Sequence, residues 1–288
     1  SAETRYAQVA RCAYNAIPAC MQQNRYHHLG WHHGIELFEA AFSRQTFSRH
    51  AHEGFAIGAI AEGAGGYICR GESMVLPAGS LSLMNPEEPH TGHAAAGHVR
   101  YNMLYAPEDA VRAVLDLKAL PGFAEVAPRD HGFQAAQALG LLAGRLNAPR
   151  GPDWQLAVEE AVHAVLAHAF ARYGRARLRR AGSEPRAVQI LRERIAAGVE
   201  TGDSLKLEDL AAEAGLHPSY MIRSFSRATG ITPHAYVLQR RVAHARRLLL
   251  EGLPAAEAAV ESGFCDQAHM IRQFRRQLGV TPGALISH

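Results

Sequence analysis

The sequence predicts an α+β multidomain chain: an N-terminal β-barrel followed by helices, then an all-α C-terminal part built from tandem helix-turn-helix units. Three observations carry this. Up to about Tyr105 the apolar residues fall in short, often alternating runs separated by Gly and Pro, the pattern of brief antiparallel strands. After Pro107 they recur at three- and four-residue intervals instead, the pattern of amphipathic helices. Beyond Arg186 a unit of two short helices occurs twice.

Composition bounds the function classes. The 288 residues are 48% hydrophobic and 20% charged, enough apolar material for real cores and too little charge for a disordered chain. A net charge of +3 is mildly basic and falls short of a histone-like tail protein. No run reaches the roughly 18 to 20 apolar residues that a membrane-spanning helix needs. The N-terminus lacks the apolar core of a signal peptide. Cys12, Cys20, Cys69 and Cys265 form no Cys-x-x-Cys pair. That speaks against a disulfide scaffold or thiolate zinc knuckle and predicts a reducing, cytoplasmic setting.

The expected strands are Ile35 to Phe42, Phe55 to Ile60, Tyr67 to Cys69, Met74 to Leu76, Leu81 to Met84 and Val99 to Leu104. Gly63-Ala64-Gly65-Gly66 reads as a hairpin turn, and Pro77-Ala78-Gly79 and Asn85-Pro86 as further punctuation. Such short strands suit a sandwich or small barrel. Ahead of them, His27, His28, His32 and His33, interrupted by Gly30 and Trp31, read as a flexible segment. Helices follow, marked by Val111, Val114 and Leu115, by Leu139, Leu142 and Leu146, and by Leu156, Val162, Val165, Leu166 and Phe170. Their leucine and valine stripes are candidates for a homodimer interface. Arg172 to Pro185, arginine-rich and closed by Gly-Ser-Glu-Pro, reads as a linker. The predicted divisions are therefore 1–106, 107–173, 174–185 and 186–288.

In the last division Gly230-Ile231-Thr232-Pro233 is echoed by Gly279-Val280-Thr281-Pro282, with Phe225 and Phe274 standing five residues before the two glycines. Upstream, Ala211 precedes Gly215 as Ala259 precedes Gly263, and Leu216 and Phe264 follow. A small Ala lets two helices approach, a left-handed Gly reverses the chain, and an apolar residue pins the corner. This is the helix-turn-helix pattern, whose second helix enters the DNA major groove. Between the copies, His234 to Leu250 contains no Gly or Pro and predicts one continuous helix. That helix would hold two recognition helices about one DNA turn, roughly 34 Å, apart.

These residues resemble the AraC/XylS family of transcriptional regulators. The resemblance spans about Arg186 to Ile286 and rests on EDLAAEAGL, RSFSRATGITPHAYVLQRRVAHARRLLLEG and AVESGFCDQAHMIRQFRRQLGVTPGAL. It implies binding of double-stranded promoter DNA, commonly with activation through contact to RNA polymerase. It also implies a first recognition helix over about Pro218 to Ala228, with Ser219, Ile222 and Arg223 facing bases, and a second over about Asp266 to Leu278, with Gln267, Ala268 and Arg272 facing the groove. Arginine pairs with guanine, glutamine with adenine, and an aliphatic side chain touches the thymine methyl. Arg227 and Arg276 suit phosphate. Asp266 suits the cap of the second helix. His217 and Lys206 stand where the family usually has small hydroxyl caps.

His50-Ala51-His52-Glu53, Pro77-Ala78-Gly79 and Pro89-His90 resemble the cupin-type ligand-binding domain that precedes the DNA-binding half in many of these regulators, over about Leu37 to Tyr105. Alternate strand residues share a face, so His50 and His52 point the same way, and His90 could join them. Three imidazoles suit a divalent metal, polar contact with an organic effector, or a purely structural role. Enzymatic cupins generally place a histidine soon after the Pro-x-Gly turn, where this chain has Ser82. No catalytic triad order, Walker loop or dinucleotide fingerprint is present. The expectation is a regulator rather than an enzyme, controlled by a small effector at His50, His52, Glu53, Tyr67 and His90. No cofactor is required beyond a divalent metal that His50, His52 and His90 could hold. A metal-responsive regulator, or a metal-dependent cupin enzyme fused to a DNA-binding module, is the alternative. The partners expected are promoter DNA, RNA polymerase, the effector and a second copy of the chain, with no membrane.

Overall fold

The computed structural model describes residues 24–286, so Cys12 and Cys20 lie outside the described residues. The chain folds as two compact units. One holds residues 24–28, 35–105 and 125–136; the other holds 29–34, 106–124 and 137 onward.

Seven strands build the first unit: β1 (Arg25–Leu29), β2 (Ile35–Phe42), β3 (Thr46–His50), β4 (Phe55–Cys69), β5 (Glu72–Pro77), β6 (Leu81–Met84) and β7 (His90–Ala106). The sheet order is β1-β2-β7-β4-β5, with β3 on β7 and β6 on β4. One face of the curved sheet buries Ala40, Phe42, Ala56, Ile60, Tyr67, Cys69, Leu76, Met84 and Val99. The segment before the second helix closes the β6 edge, where Leu81 and Leu83 donate backbone hydrogen bonds to Pro128 and Val126 at 2.9 and 2.8 Å.

Two sequence expectations are corrected here. Gly63 to Gly66 is no hairpin turn: β4 runs straight through it as one 15-residue strand. Gly63 takes φ +69°, and a Cβ there would lie 2.0 Å from the His98 carbonyl oxygen, so glycine serves close strand approach and a bend. That bend lets β4 pair with β6 over Ala56 to Ala59 and with β5 over Ala64 to Cys69. The histidine-rich stretch is also ordered. His27 and His28 sit on β1 and bond Glu39 and Glu36 of β2 at 2.7 and 2.9 Å, and His32 is buried.

The second unit is helical: α1 (Glu108–Leu115), α2 (Gln134–Leu146, its first residues in the barrel unit), α3 (Trp154–Arg172), α4 (Pro185–Thr201), α5 (Leu207–Glu213), α6 (Pro218–Thr229), α7 (Pro233–Leu250), α8 (Ala255–Glu261), α9 (Gln267–Leu278) and α10 (Pro282–Ile286). One core gathers Leu191, Ile195, Leu207, Leu210, Met221, Phe225 and Val237; a second gathers Val242, Leu249, Ala258, Ala259, Phe264, Met270 and Phe274. Helix α7 contributes to both, and its 18 residues form the continuous strut that the sequence predicts, about 27 Å long. The turn glycines behave as the repeat requires, Gly215 at φ +65° and Gly263 at φ +77°.

Helix α3 is covered nearly all round, and Leu156 enters the first helix-turn-helix core. The helices expected as a separate packing segment thus cluster with the C-terminal ones. The stripes proposed for a homodimer are spent inside the chain, since Leu139, Leu142, Leu156, Val162, Val165 and Leu166 are all buried. Among the described residues no helix is long and apolar enough to cross a membrane.

Candidate functional site

The two recognition helices differ sharply in exposure. In α9, Asp266 caps the N-terminus by accepting from the His269 N–H. Met270 and Phe274 anchor the helix in the second core, which leaves Gln267, Ala268, Arg272, Arg275 and Arg276 exposed. Exposed cations at this density attract phosphate, and two of the predicted readers stand at the helix start, where base edges are met. Arg276 also lines a cavity of about 690 Å³ between α3, α7 and α9, so it serves two surroundings at once.

In α6 the equivalent face is covered. Ser219 is 0% exposed and Ile222 7%. The Ser219 hydroxyl lies 2.8 Å from Nε2 of His163 on α3 and accepts a hydrogen bond from Arg223. Arg223 further donates from Nε to the Arg179 carbonyl at 3.1 Å, and Arg227 donates to the Ala181 carbonyl. The guanidinium of Arg179 stacks on the Tyr220 ring at 3.8 Å, and Tyr220 joins the Gly182 N–H to the Glu184 carboxylate. The segment read as a linker is therefore a strap across α6, while α3 packs on the face that holds Ser219 and Arg223. Burial lowers the His163 pKa to about 4, with Arg223 and His217 adding to the effect, so the ring is neutral at neutral pH, and the Arg223 guanidinium 3.5 Å from Nε2 favours the tautomer in which that nitrogen accepts from Ser219. Burial also lowers the Arg223 guanidinium from its usual value.

The unusual caps have substitutes. His217 accepts the Ser219 N–H on its own Nδ1 at 3.2 Å, so α6 does start with a side-chain cap. Lys206 makes none; instead Glu159 of α3 accepts the Leu207 N–H at 3.0 Å, capping α5 from outside. Glu160 accepts the His234 N–H at 2.7 Å at the start of α7. Asp153, just before α3, bonds His234 Nε2 and Arg241 at 2.9 Å each, and Arg241 also donates to the Gly263 carbonyl in the second turn. Burial drives Glu159 up to about 7 and raises Glu160; for Asp153 the burial penalty is outweighed by His234 and Arg241, which hold it near 2.

Sequence reasoning missed Asp153, Glu159, Glu160, His163 and Arg241. One signal was available: Glu159 and His163 stand four apart on a helix otherwise rich in Leu, Val and Ala, where a solvated face would carry more charge.

In the barrel unit the structure brings His50, His52 and His90 together, with a nitrogen of each within 4.8 Å of the others. The rings stand 4.5 Å apart for His50 and His90, 4.9 Å for His50 and His52, and 5.2 Å for His52 and His90. Burial and the neighbouring imidazoles push His52 down to about 4, and burial lowers His90 too. Tyr105 packs on His52 at 4.6 Å. A chain of ring contacts from Tyr26 through Phe38, Tyr101, Phe42 and Phe47 reaches His50, an aromatic wall along the same face. Two expected members stand apart. Glu53 is exposed in the bend after β3, where the chain turns it to solvent. Tyr67 is buried in the barrel core with its hydroxyl donated to the Val126 carbonyl at 2.8 Å, a structural bond that occupies its polar end.

Residues 32–166 match the family model of the AraC-like ligand binding domain, and residues 210–287 that of a helix-turn-helix domain. The HTH-type transcriptional regulator YbfI of Bacillus subtilis is 27% identical over 250 residues, covering 83% of this chain and 86% of YbfI. The HTH-type transcriptional activator RhaR of Shigella flexneri is 24% identical over 237 residues, covering 78% and 82%. Among solved structures, ToxT from Vibrio cholerae with an unsaturated fatty acid bound aligns over 92% of this chain and 97% of its own, at 12% identity and a TM-score of 0.35.

Proposed function

The chain belongs to the AraC/XylS family of transcriptional regulators, with an AraC-like ligand-binding domain ahead of a helix-turn-helix domain, and from that premise we propose that it is an effector-controlled activator held in a half-closed state. The proteins of this match are regulators rather than enzymes. Helix α9 offers Gln267 and Arg272 to bases and Arg276 to phosphate. Helix α6 offers Ser219, Ile222, Arg223 and Arg227 only after α3 and the 174–184 strap let go. A small molecule in the aromatic-walled barrel, near His50, His52 and His90, supplies the free energy by favouring the released state, as any switching ligand must. The output is recruitment of RNA polymerase at a promoter.

One observation carries this reading: of two helices equivalent by internal repeat, one has its reading residue Ser219 wholly buried under His163, while the other has Gln267 and Arg272 exposed. The test is binding of the full chain to an operator selected from random duplexes. Arg272→Ala should weaken specific binding from the outset. Arg223→Ala should matter only when combined with a release variant such as His163→Ala. Equal sensitivity to both arginines in the unreleased protein would show that α6 is already open.

A further inference from the structure

Helix α3 turns a face of small side chains toward α7. Ala157, Ala161 and Ala164 share one side of the helix and line the cavity of about 690 Å³ that Arg276 borders. Single methyl groups do not reach across, so space remains in an otherwise close-packed unit. Its size falls in the range of about 300 to 1,000 Å³ that houses small ligands. Its charge is one-sided. Arg145 of α2, Arg246 of α7 and Arg276 of α9 line it, against the single carboxylate of Glu160, which the His234 N–H and Thr232 already engage. Arg145, half-buried, meets the His234 ring at 3.4 Å rather than a carboxylate oxygen, and Arg276 lies near enough to repel it. Among the described residues no carboxylate hydrogen-bonds to any of the three arginines. Cations from separate helices, held close around an open space with no anion bonded to them, mark a place for an anion.

We infer that this cavity is a ligand site distinct from the barrel, for a small molecule that carries an anionic group on an apolar body, and that its occupant opposes DNA binding. The anionic group meets Arg145 and Arg276, whose planar sets of donors fit the oxygens of a carboxylate, sulfonate or phosphate. The apolar body lies against Ile222, Leu238 and Val242. Opposition follows from the walls. Helices α2 and α3 form one side and α7 and α9 the other, so the cavity exists only while α3 lies on the helix-turn-helix units. A ligand that needs both walls favours the docked arrangement, in which His163 covers Ser219. It also takes up Arg276, the guanidinium suited to a DNA phosphate. The site stands on the cavity and its charges alone, whereas the opposition rests on the reading that α3 must leave α6.

The experiment titrates the full chain with two fluorescent probes of nearly one shape, anilinonaphthalene sulfonate and its uncharged parent phenylnaphthylamine. One equivalent of the sulfonate should bind, and the uncharged probe should bind at least roughly tenfold more weakly, because charge-assisted hydrogen bonds are lost. Arg145→Gln and Arg276→Gln should each weaken the sulfonate by about tenfold and leave the uncharged probe unchanged. Ala161→Leu, which fills the space, should weaken both probes. Arg276 is exposed, so its replacement tests the site in an unaltered fold. Equal affinity for the two probes, sulfonate binding indifferent to all three substitutions, or no sulfonate binding by the folded parent overturns the site. In a gel-shift assay, affinity for a selected operator should fall as the sulfonate saturates the parent, and should fall far less in Arg145→Gln. Operator affinity indifferent to bound sulfonate, with the arginine dependence intact, overturns the opposition and the release of α3 together and leaves the site standing.

Discussion

The carboxylate of Glu159 accepts the backbone N–H of Leu207 at 3.0 Å, so the first helix of the helix-turn-helix domain is capped by a residue of another helix. A helix start leaves N–H groups without partners, and Lys206 offers no side-chain acceptor. The cap sits where burial raises the carboxyl pKa to about 7, with Leu207 and Gln155 bonding the carboxylate and Glu208 and Asp209 adding repulsion. A carboxyl whose folded pKa lies above its unfolded value stabilises fully below the unfolded value, near 4.5, and this contribution disappears as pH rises through about 7. The α3–α5 junction should therefore weaken between about pH 4.5 and 7, by at most about 3 kcal/mol. Glu159→Gln keeps an acceptor without the charge. Its thermal midpoint should be flat over that window where the parent's falls, and parallel profiles would refute the assignment.

His163 titrates in the opposite sense. Its folded pKa, near 4, is below the unfolded value near 6.5, so the α3–α6 contact is complete above pH 6.5 and is lost as pH falls toward 4. A proton on Nε2 would end its acceptance of the Ser219 hydroxyl and face the Arg223 guanidinium 3.5 Å away, with His217 near. His163→Ala should imitate this release at neutral pH. Affinity for operator DNA, read by fluorescence anisotropy at fixed salt, should rise about tenfold, equivalent to some 1.4 kcal/mol. An unchanged affinity with an intact fold would mean that the strap at Arg179 and Ala181 closes α6 unaided.

Much of this architecture is legible in the sequence. The α7 strut, the turn glycines Gly215 and Gly263 and both recognition helices follow from local rules: uninterrupted 3.6-residue periodicity, left-handed glycine, and Asp266 as a cap. The errors came from non-local relations. Gly63 to Gly66 looks like a turn by composition, yet its glycines serve the approach of β7, which no local window contains. His27 and His28 look mobile until Glu36 and Glu39 stand beside them. The histidine trio was half legible, because the His-x-His alternation sets two rings on one side but only the β3–β7 pairing brings His90 there. The closed α6 was not legible at all. Ser219 and Ala268 occupy corresponding places in the repeat, and their different exposure is decided by α3, a distant segment.

Arg241 is among the largest fully buried side chains, at 2% exposure, and its charge is met by Asp153 at 2.9 Å and by the Gly263 carbonyl. Removing one partner of a buried pair leaves an uncompensated charge. Asp153→Ala should accordingly cost about 3 to 5 kcal/mol in urea denaturation, whereas replacing both groups with apolar side chains, Asp153→Leu with Arg241→Met, should recover much of the loss. The parent's share from Asp153 is present above about pH 3.8 and fades as pH falls toward 2. A double variant no better than Asp153→Ala would show that the pair's value lies in ordering the second turn rather than in charge neutralisation.

The exposed helix α9 permits a test that separates reading from mere attraction. Arg272 stands on its open face, and a bidentate arginine–guanine contact is worth about 1 to 3 kcal/mol of discrimination. Arg272→Ala should lower affinity for the selected operator by that amount, change random-duplex affinity far less, and relax preference at one base pair. Arg276→Ala should weaken both duplexes alike and reduce the salt dependence by about one counterion, because a phosphate contact carries no sequence information. The contrast between the variants is the decisive quantity. Identical losses on operator and random DNA for Arg272→Ala would move it to the phosphate class, leaving Gln267 and the released Arg223 as the residues that choose the sequence.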